Sequence, residues 1–305
     1  MSTIDTQHYF EQGYAVARNV FTREEMTRAG EAIDRIKSRL TEMKERDEPL
    51  RIGNFYGVVE EDPNVGLNVR AAMLVAMLEP ELDKLRTDLR MLELVRPLLG
   101  DTLRQVTNQL HWKTPGSRMI IQMHTDRQNR KGAQGEFLRN MERSFIQTAI
   151  AMDPMTQQNG PLLVCPGSHR TPELLGTVRD IYSQEDLRVE STAGIDTFEW
   201  HAEPGDVILW HPDVIHGSGI NQHPTMDRRI YINGYVNAHD CLCGMWSFIK
   251  GQPVPCPPVD VPVMVSKGCL NFDRFPPQSE GRWRQADHRK NSLRGSSVAN
   301  RCHSG

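Results

Sequence analysis

From about residue 103 onward the chain breaks into short runs of apolar and β-branched residues: 103–112, 117–123, 144–152, 161–165, 205–210 and 228–236. Gly, Pro and Asn punctuate them. Runs of this length and composition read as strands joined by turns. Several short strands in series close on themselves as a barrel or pack as a sandwich, and either outcome restricts the rest of the chain to decorating that core. The helix-forming residues lie ahead of it. Thr22 followed three residues later by Glu25 is a capping-box start, and Met26, Ala29, Ile33, Ile36 and Leu40 recur at helical spacing, which predicts a helix to about Asp47. Pro80 sits where a second helix can begin, and Leu82, Leu85, Leu89, Leu92 and Val95 form its apolar stripe, ending before Pro97 and Gly100. Between these helices, 51–69 is rich in Gly, Asn and acids and predicts a loop.

Two longer stretches, 166–204 and 241–278, interrupt the strands and are predicted to be insertions over one mouth of the barrel. The last stretch, 279–305, carries Arg282, Arg284, Arg289, Lys290, Arg294 and Arg301 against Glu280 and Asp287 with almost no apolar residue, the composition of a mobile tail. Across all 305 residues the balance is 36 Lys and Arg against 39 Asp and Glu. That near-neutrality argues against a nucleic-acid binder. No run approaches the roughly 18 apolar residues of a membrane helix, and the N-terminus lacks a basic region followed by an apolar one, so a cytoplasmic location is expected. Six cysteines, at 165, 241, 243, 256, 269 and 302, are too sparse for a disulfide framework and read as free thiols. Cys241, Cys243 and Cys256 lack the second close pair of a zinc site.

Three histidines begin a His-x-carboxylate triplet: His124-Thr125-Asp126, His201-Ala202-Glu203 and His211-Pro212-Asp213. On a strand, residues i and i+2 share a face, so such a triplet offers an imidazole and a carboxylate to one metal ion. Two histidines and one carboxylate on one face of an octahedron leave three positions open, the arrangement of non-haem Fe(II) oxygenases. Pro212 cannot donate to a ladder, which argues against His211 and Asp213 as a pair. His201 precedes the turn Glu203-Pro204-Gly205-Asp206 and reads as solvent-exposed or capping. His216, just past the apolar run Val207-Ile208-Leu209-Trp210, is the best third ligand, in a segment whose glycines allow close approach to backbone.

In order along the chain stand Lys113-Thr114-Pro115-Gly116, His124-Thr125-Asp126, Asn159-Gly160-Pro161-Leu162, Pro166-Gly167-Ser168-His169, Gly205-Asp206-Val207, His216-Gly217-Ser218-Gly219 and Arg228-Arg229. Over roughly 105–237 this series resembles the phytanoyl-CoA dioxygenase family of Fe(II)- and 2-oxoglutarate-dependent oxygenases. The resemblance implies a mainly β fold with N-terminal helices, a double-stranded β-helix of the jelly-roll, cupin-like type, with those helices packed against the major sheet. It implies that 1–278 is a single catalytic domain, made of a helical N-terminal segment over 1–100, a β-helix core over 101–240 and the insertion 241–278. It further implies His124, Asp126 and His216 as catalytic iron ligands. Arg228 would hold the distal carboxylate of 2-oxoglutarate, since a guanidinium grips a carboxylate by two parallel bonds. Arg228, Ile230 and Ile232 would face inward while Arg229 and Tyr231 point out, although Arg228 lies 12 residues after His216, one more than the family spacing, with His223-Pro224-Thr225 available to absorb it. Ser218 matches a position whose hydroxyl helps hold the same carboxylate, and His111 one that contacts 2-oxoglutarate. Gln109, His111 and Lys113 would share a face, with Lys113 structural or exposed.

The implied reaction consumes O2, releases succinate and CO2 and oxidises a C–H bond of a small metabolite, with hydroxylation as the leading outcome. Desaturation, epoxidation or cyclisation would use the same site. The carboxylate of Asp126 argues against halogenation. Two alternatives remain: a non-catalytic barrel that binds a metal or small molecule, and a 2-oxoglutarate-independent metalloenzyme on a cupin-like barrel. Arg127, Arg130 and Lys131, directly after the triplet, suggest steering of a polar or anionic substrate. Trp112, Trp210 and Trp246 read as packing residues.

Overall fold

The computed structural model describes residues 4–129, 138–171, 174, 196–261, 264–266 and 269–271. In chain order the principal strands are β1 (Tyr14–Ala17), β2 (Arg51–Ile52), β3 (Phe55–Asp62), β4 (Gly66–Met73), β5 (Leu103–Lys113), β6 (Ile121–His124), β7 (Phe145–Ala151), β8 (Leu162–Val164), β9 (Phe198–Trp200), β10 (Val207–Trp210), β11 (His216–Ser218), β12 (Arg228–Asn237), β13 (Met245–Ile249) and β14 (Gln252–Pro253). The major sheet runs β1-β10-β7-β12-β5-β4-β3-β2, and the minor sheet β6-β11-β8-β9. All of these pairs are antiparallel. Together they form the expected double-stranded β-helix.

Alternation along the strands assigns each face of the major sheet its task. Leu110, Trp112, Ile146, Ile150, Val207, Leu209, Tyr231 and Tyr235 face outward into one apolar cluster with the helices, including Ala29, Ile33, Ile36 and Leu40. Ala149, Ala151, Ile208, Ile230 and Ile232 face inward and meet Leu162, Val164 and Trp200 of the minor sheet. Leu110 and Ile150 are fully buried, and each such side chain contributes about 1.5–3 kcal/mol. The first long helix, α2 (Arg23–Glu45), starts at the anticipated capping box, α1 being Thr6–Gln12. Thr22 Oγ1 accepts from the Glu25 amide at 3.3 Å and Glu25 Oε2 from the Thr22 amide at 2.8 Å. The second stripe is two helices, α3 (Pro80–Arg86) and α4 (Leu89–Leu99), separated where Asp88 caps the Arg90 amide. Pro97 lies inside the last turn of α4 rather than beyond its end, a place where its ring removes few helix bonds.

Three expectations are corrected. Segment 51–69 is not a loop: β2, β3 and β4 extend the major sheet past β5. Gly57 misled because it reads as a turn residue, whereas a Cβ there would lie 2.3 Å from the Leu40 side chain; the glycine lets α2 rest on the strand. Segment 241–278 is not, over its described residues, an insertion over the mouth, because β13 pairs with the start of β5. Fully buried Arg86 draws that segment in, donating to Gln105 Oε1, Ser247 Oγ and the carbonyls of Trp246 and Val254. Stretch 166–204 ends in a strand of the minor sheet, β9, while 172–173 and 175–195 lie outside the described residues, as does the tail 279–305. Among the described residues no helix is long and apolar enough to cross a membrane.

Candidate metal centre and substrate cavity

His124 closes β6 and His216 opens β11, and the two are direct cross-strand partners. Their rings lie 4.3 Å apart between centroids. Asp126 comes two residues later, opening a short helix, α5 (Asp126–Asn129). The shared-face argument for a His-x-Asp triplet therefore does not apply as stated, since Asp126 has left the strand. A turn brings its carboxylate back instead. One donor atom from each of His124, Asp126 and His216 lies within 4.8 Å of the others, and this is the one such group of His, Cys, Asp or Glu among the described residues. His216 and Asp126 are buried.

The surroundings fix how these donors present themselves. His124 Nδ1 lies 2.8 Å from the Gln122 carbonyl and His216 Nδ1 2.9 Å from the Val214 carbonyl. A carbonyl oxygen only accepts, so each Nδ1 carries the proton and each Nε2 keeps the lone pair that a metal needs. Trp210 Nε1 donates to Asp126 Oδ2 at 2.8 Å, from a ring 5.1 Å from that of His216. Trp210 is thus part of the site, not only packing; the apolar run around it gave no sign of this. Two imidazoles of the right tautomer and an oriented carboxylate fit a divalent transition metal.

Behind this group, Arg228 and Lys113 are cross-strand partners on β12 and β5, and both are fully buried. Arg228 Nε donates to the Gly160 carbonyl at 3.1 Å and Nη2 to Ser218 Oγ at 3.2 Å, while Nη1 has no partner. Burial pushes its pKa down to about 9. Lys113 Nζ donates to the carbonyls of Ser218 and Gly219, and burial, then the Arg228 charge, holds its pKa well below the usual range. Lys113 is therefore structural rather than exposed. A buried guanidinium with an unpartnered N–H is a group that a carboxylate could satisfy. Arg229 points outward as anticipated, its guanidinium on Asp153 and Asp34. Burial and the Arg228 charge push His111 down to about 3, so it is neutral and its Nδ1 is unpartnered.

A cavity of about 750 Å³ is lined by His111, His124, Asp126, Trp210, His216 and Ser218. Its floor continues along inward positions that sequence reading passed over: Thr107 on β5 and Gln147 on β7, with Gln109 between them and His111. Gly234 opens the space between them, since a Cβ there would come within 2.5 Å of Gln147 Oε1 and 2.9 Å of Thr107 Cβ. The outer wall is the unanticipated hairpin, through Tyr56, Val58, Arg70 and Met73. Arg127 does not face the cavity as a steering charge; it is held by Asp213 and Glu142. Arg130 and Lys131 lie outside the described residues. His201 is exposed and paired with Glu199, and Trp246 lies beneath the Arg104 guanidinium.

The family model of phytanoyl-CoA dioxygenase (PhyH) matches residues 9–230. The chain belongs to the phytanoyl-CoA dioxygenase family. It is an Fe(II)- and 2-oxoglutarate-dependent dioxygenase. Among its relatives, a probable alpha-ketoglutarate-dependent hypophosphite dioxygenase of Stutzerimonas stutzeri is 23% identical, covering 76% of this chain and 77% of that protein. The ectoine dioxygenase of Sphingopyxis alaskensis is 25% identical over 70% and 68% of the two chains. The solved structure of EctD from S. alaskensis with bound Fe shares the fold, with a TM-score of 0.58 at 20% identity over 83% of this chain and 86% of that one.

Proposed function

We propose that His124, Asp126 and His216 hold the iron, and that Arg228 and Ser218 receive the distal carboxylate of 2-oxoglutarate with His111 alongside. The unpaired Nη1 of a fully buried Arg228, on a strand behind a histidine–aspartate–histidine group, carries this reading. The bound iron and 2-oxoglutarate would supply the oxidising power of O2, with succinate and CO2 as co-products. The chain's own residues do the rest. Trp210 orients the Asp126 carboxylate by its N–H. Val214 and Gln122 hold both imidazoles in the ligating tautomer. Neutral His111 offers its unpartnered Nδ1 as a polar contact, and apolar Ile230 and Ile232 line the cavity beside it.

The reaction is assigned as hydroxylation of a small polar metabolite. Gln109, Gln147 and Thr107 line the cavity together with Met73, Met119 and Tyr56, as does Arg70, paired with Glu60 at 2.9 Å. Such a lining suits a compact molecule with several hydrogen-bonding groups on a short carbon skeleton, whose anionic group, if present, meets Arg70. Anaerobic titration of Fe(II) and 2-oxoglutarate tests the centre through the visible charge-transfer band of the chelated co-substrate. The band should vanish in His124→Ala and weaken in Arg228→Met. Folded protein without a band refutes the assignment; with the band in place, succinate release over a panel of small polar metabolites finds the substrate.

A further inference from the structure

Two of the proposed ligands, His124 and His216, are fixed against each other by the ladder of the minor sheet, in which His216 also pairs with Val164. Asp126 stands outside that ladder. It lies beyond the end of β6, on a different loop from the 211–215 segment that delivers His216. What joins the two loops is a set of bonds through the next residue. The Arg127 amide donates to the Pro212 carbonyl at 3.1 Å. Its guanidinium grips Asp213 by two parallel bonds, Nε to Oδ1 at 2.5 Å and Nη2 to Oδ2 at 2.7 Å. Nη2 also reaches Glu142 Oε2 at 3.3 Å.

The Asp213 end is anchored in turn. Its amide donates to His211 Nδ1 at 3.1 Å, and His211 Nε2 donates to the Glu142 carbonyl at 2.8 Å. The pair is mostly shielded, with side-chain exposures of 31% for Arg127 and 16% for Asp213. The planar guanidinium fixes orientation as well as distance, which a lysine would not. An ordinary surface ion pair contributes little to folding and nothing else. This one ties the Asp126 loop to the His216 loop, alongside the Trp210 bond to Asp126 itself.

We propose that Arg127 and Asp213 form a positioning clamp that sets the separation of Asp126 from His216 before the ion arrives, and so sets metal affinity. The inference rests on the reading of His124, Asp126 and His216 as the ligands. Neither clamp residue lines the cavity at the candidate metal donors. Their effect is to spare the ion the work of ordering a loop.

The test is anaerobic titration of the full-length apo-protein with Co(II), read by its ligand-field absorption, and with Fe(II), each beside thermal unfolding without metal. Arg127→Gln and Asp213→Asn should each weaken Co(II) binding about 10- to 100-fold, the range for groups that support metal ligands. The double variant should be no weaker than either single one, because both remove the same contact. Glu25→Gln, which breaks the Arg90 pair in the helical layer with bonds of 2.6 and 3.0 Å, should lower the unfolding temperature and leave the metal Kd unchanged. Unaltered Kd in Arg127→Gln and Asp213→Asn, with only a lowered unfolding temperature, overturns the clamp while leaving the ligands in place. Unaltered Kd in His124→Ala overturns the ligand assignment, and the clamp falls with it. Asp213→Asn changes few atoms and carries the test alone should Arg127→Gln not fold.

Discussion

Replacing Arg228 with methionine should make the co-substrate-free protein more stable while destroying its grip on 2-oxoglutarate. Burial takes the guanidinium well down from its ordinary value to about 9, which corresponds to a penalty on the order of 5 kcal/mol for keeping it charged in the fold. That penalty is present throughout the pH range below about 9 and fades only as pH rises towards the range where the unfolded guanidinium itself titrates, so it applies in full at neutral pH. Methionine removes it, but leaves the Gly160 carbonyl and Ser218 Oγ without their donor, at about 1–2 kcal/mol each. The balance is a gain of about 1–3 kcal/mol for the apo-protein. Against that, truncating one side of a buried charge pair weakens binding by about 2–5 kcal/mol, or roughly 30- to several-thousand-fold in Kd. Thermal unfolding of the metal-loaded protein with and without 2-oxoglutarate reads both effects. At 100 times its Kd the co-substrate should stabilise the parent by about 2.7 kcal/mol and the variant hardly at all. A variant less stable than the parent without co-substrate, yet binding it with unchanged Kd, would show that Arg228 is a structural residue and refute the reasoning.

Trp210→Phe should keep the cavity's shape but strip the N–H from Asp126 Oδ2; metal titration should show Kd rising about tenfold. His111, with its folded pKa near 3 against an ordinary value of 6.5, takes up its proton in the unfolded chain before the folded one. Its contribution is complete above pH 6.5 and lost on acidification, so urea unfolding of the apo-protein should lose about 2 kcal/mol between pH 7 and pH 5 that His111→Gln does not lose. Gly234→Ala places a Cβ 2.5–2.9 Å from Gln147, Phe145 and Thr107; denaturation should show a loss of about 1–3 kcal/mol, and KM for the metabolite should shift while the metal Kd stays constant.

The strands of the β-helix were legible because Gly and Pro bracket each run, and β5, β7 and β12 fall within a residue or two of the expected bounds. The grouping of His124, Asp126 and His216 was legible through motif order, and the inward placement of Arg228 against the outward one of Arg229 through strand alternation. What escaped depends on contacts remote in sequence. Gly57 signals a turn locally, and only the Leu40 side chain above it explains why it sits in a strand. Arg127 looks like a loop charge until Asp213, 86 residues away, is found against it. Trp210 closes an apolar run like any core residue, and its polar role depends on Asp126, 84 residues earlier. Lys113 beside a proline turn reads equally as structural or exposed, and only the carbonyls of Ser218 and Gly219, far along the chain, decide that it is sealed in.

The hairpin of β3 and β4 gives the catalytic cavity a wall that the iron does not need. Its residues Tyr56, Val58, Arg70 and Met73 come from before residue 75, whereas the candidate metal donors and the buried Arg228 all come from after residue 110. Part of the surroundings a substrate would meet is thus written in a stretch of the gene separate from the candidate metal donors, while Thr107, Gln109 and Gln147 supply the rest. Substitutions at Tyr56, Val58 or Met73 can therefore reshape one wall of the cavity without altering any candidate metal donor.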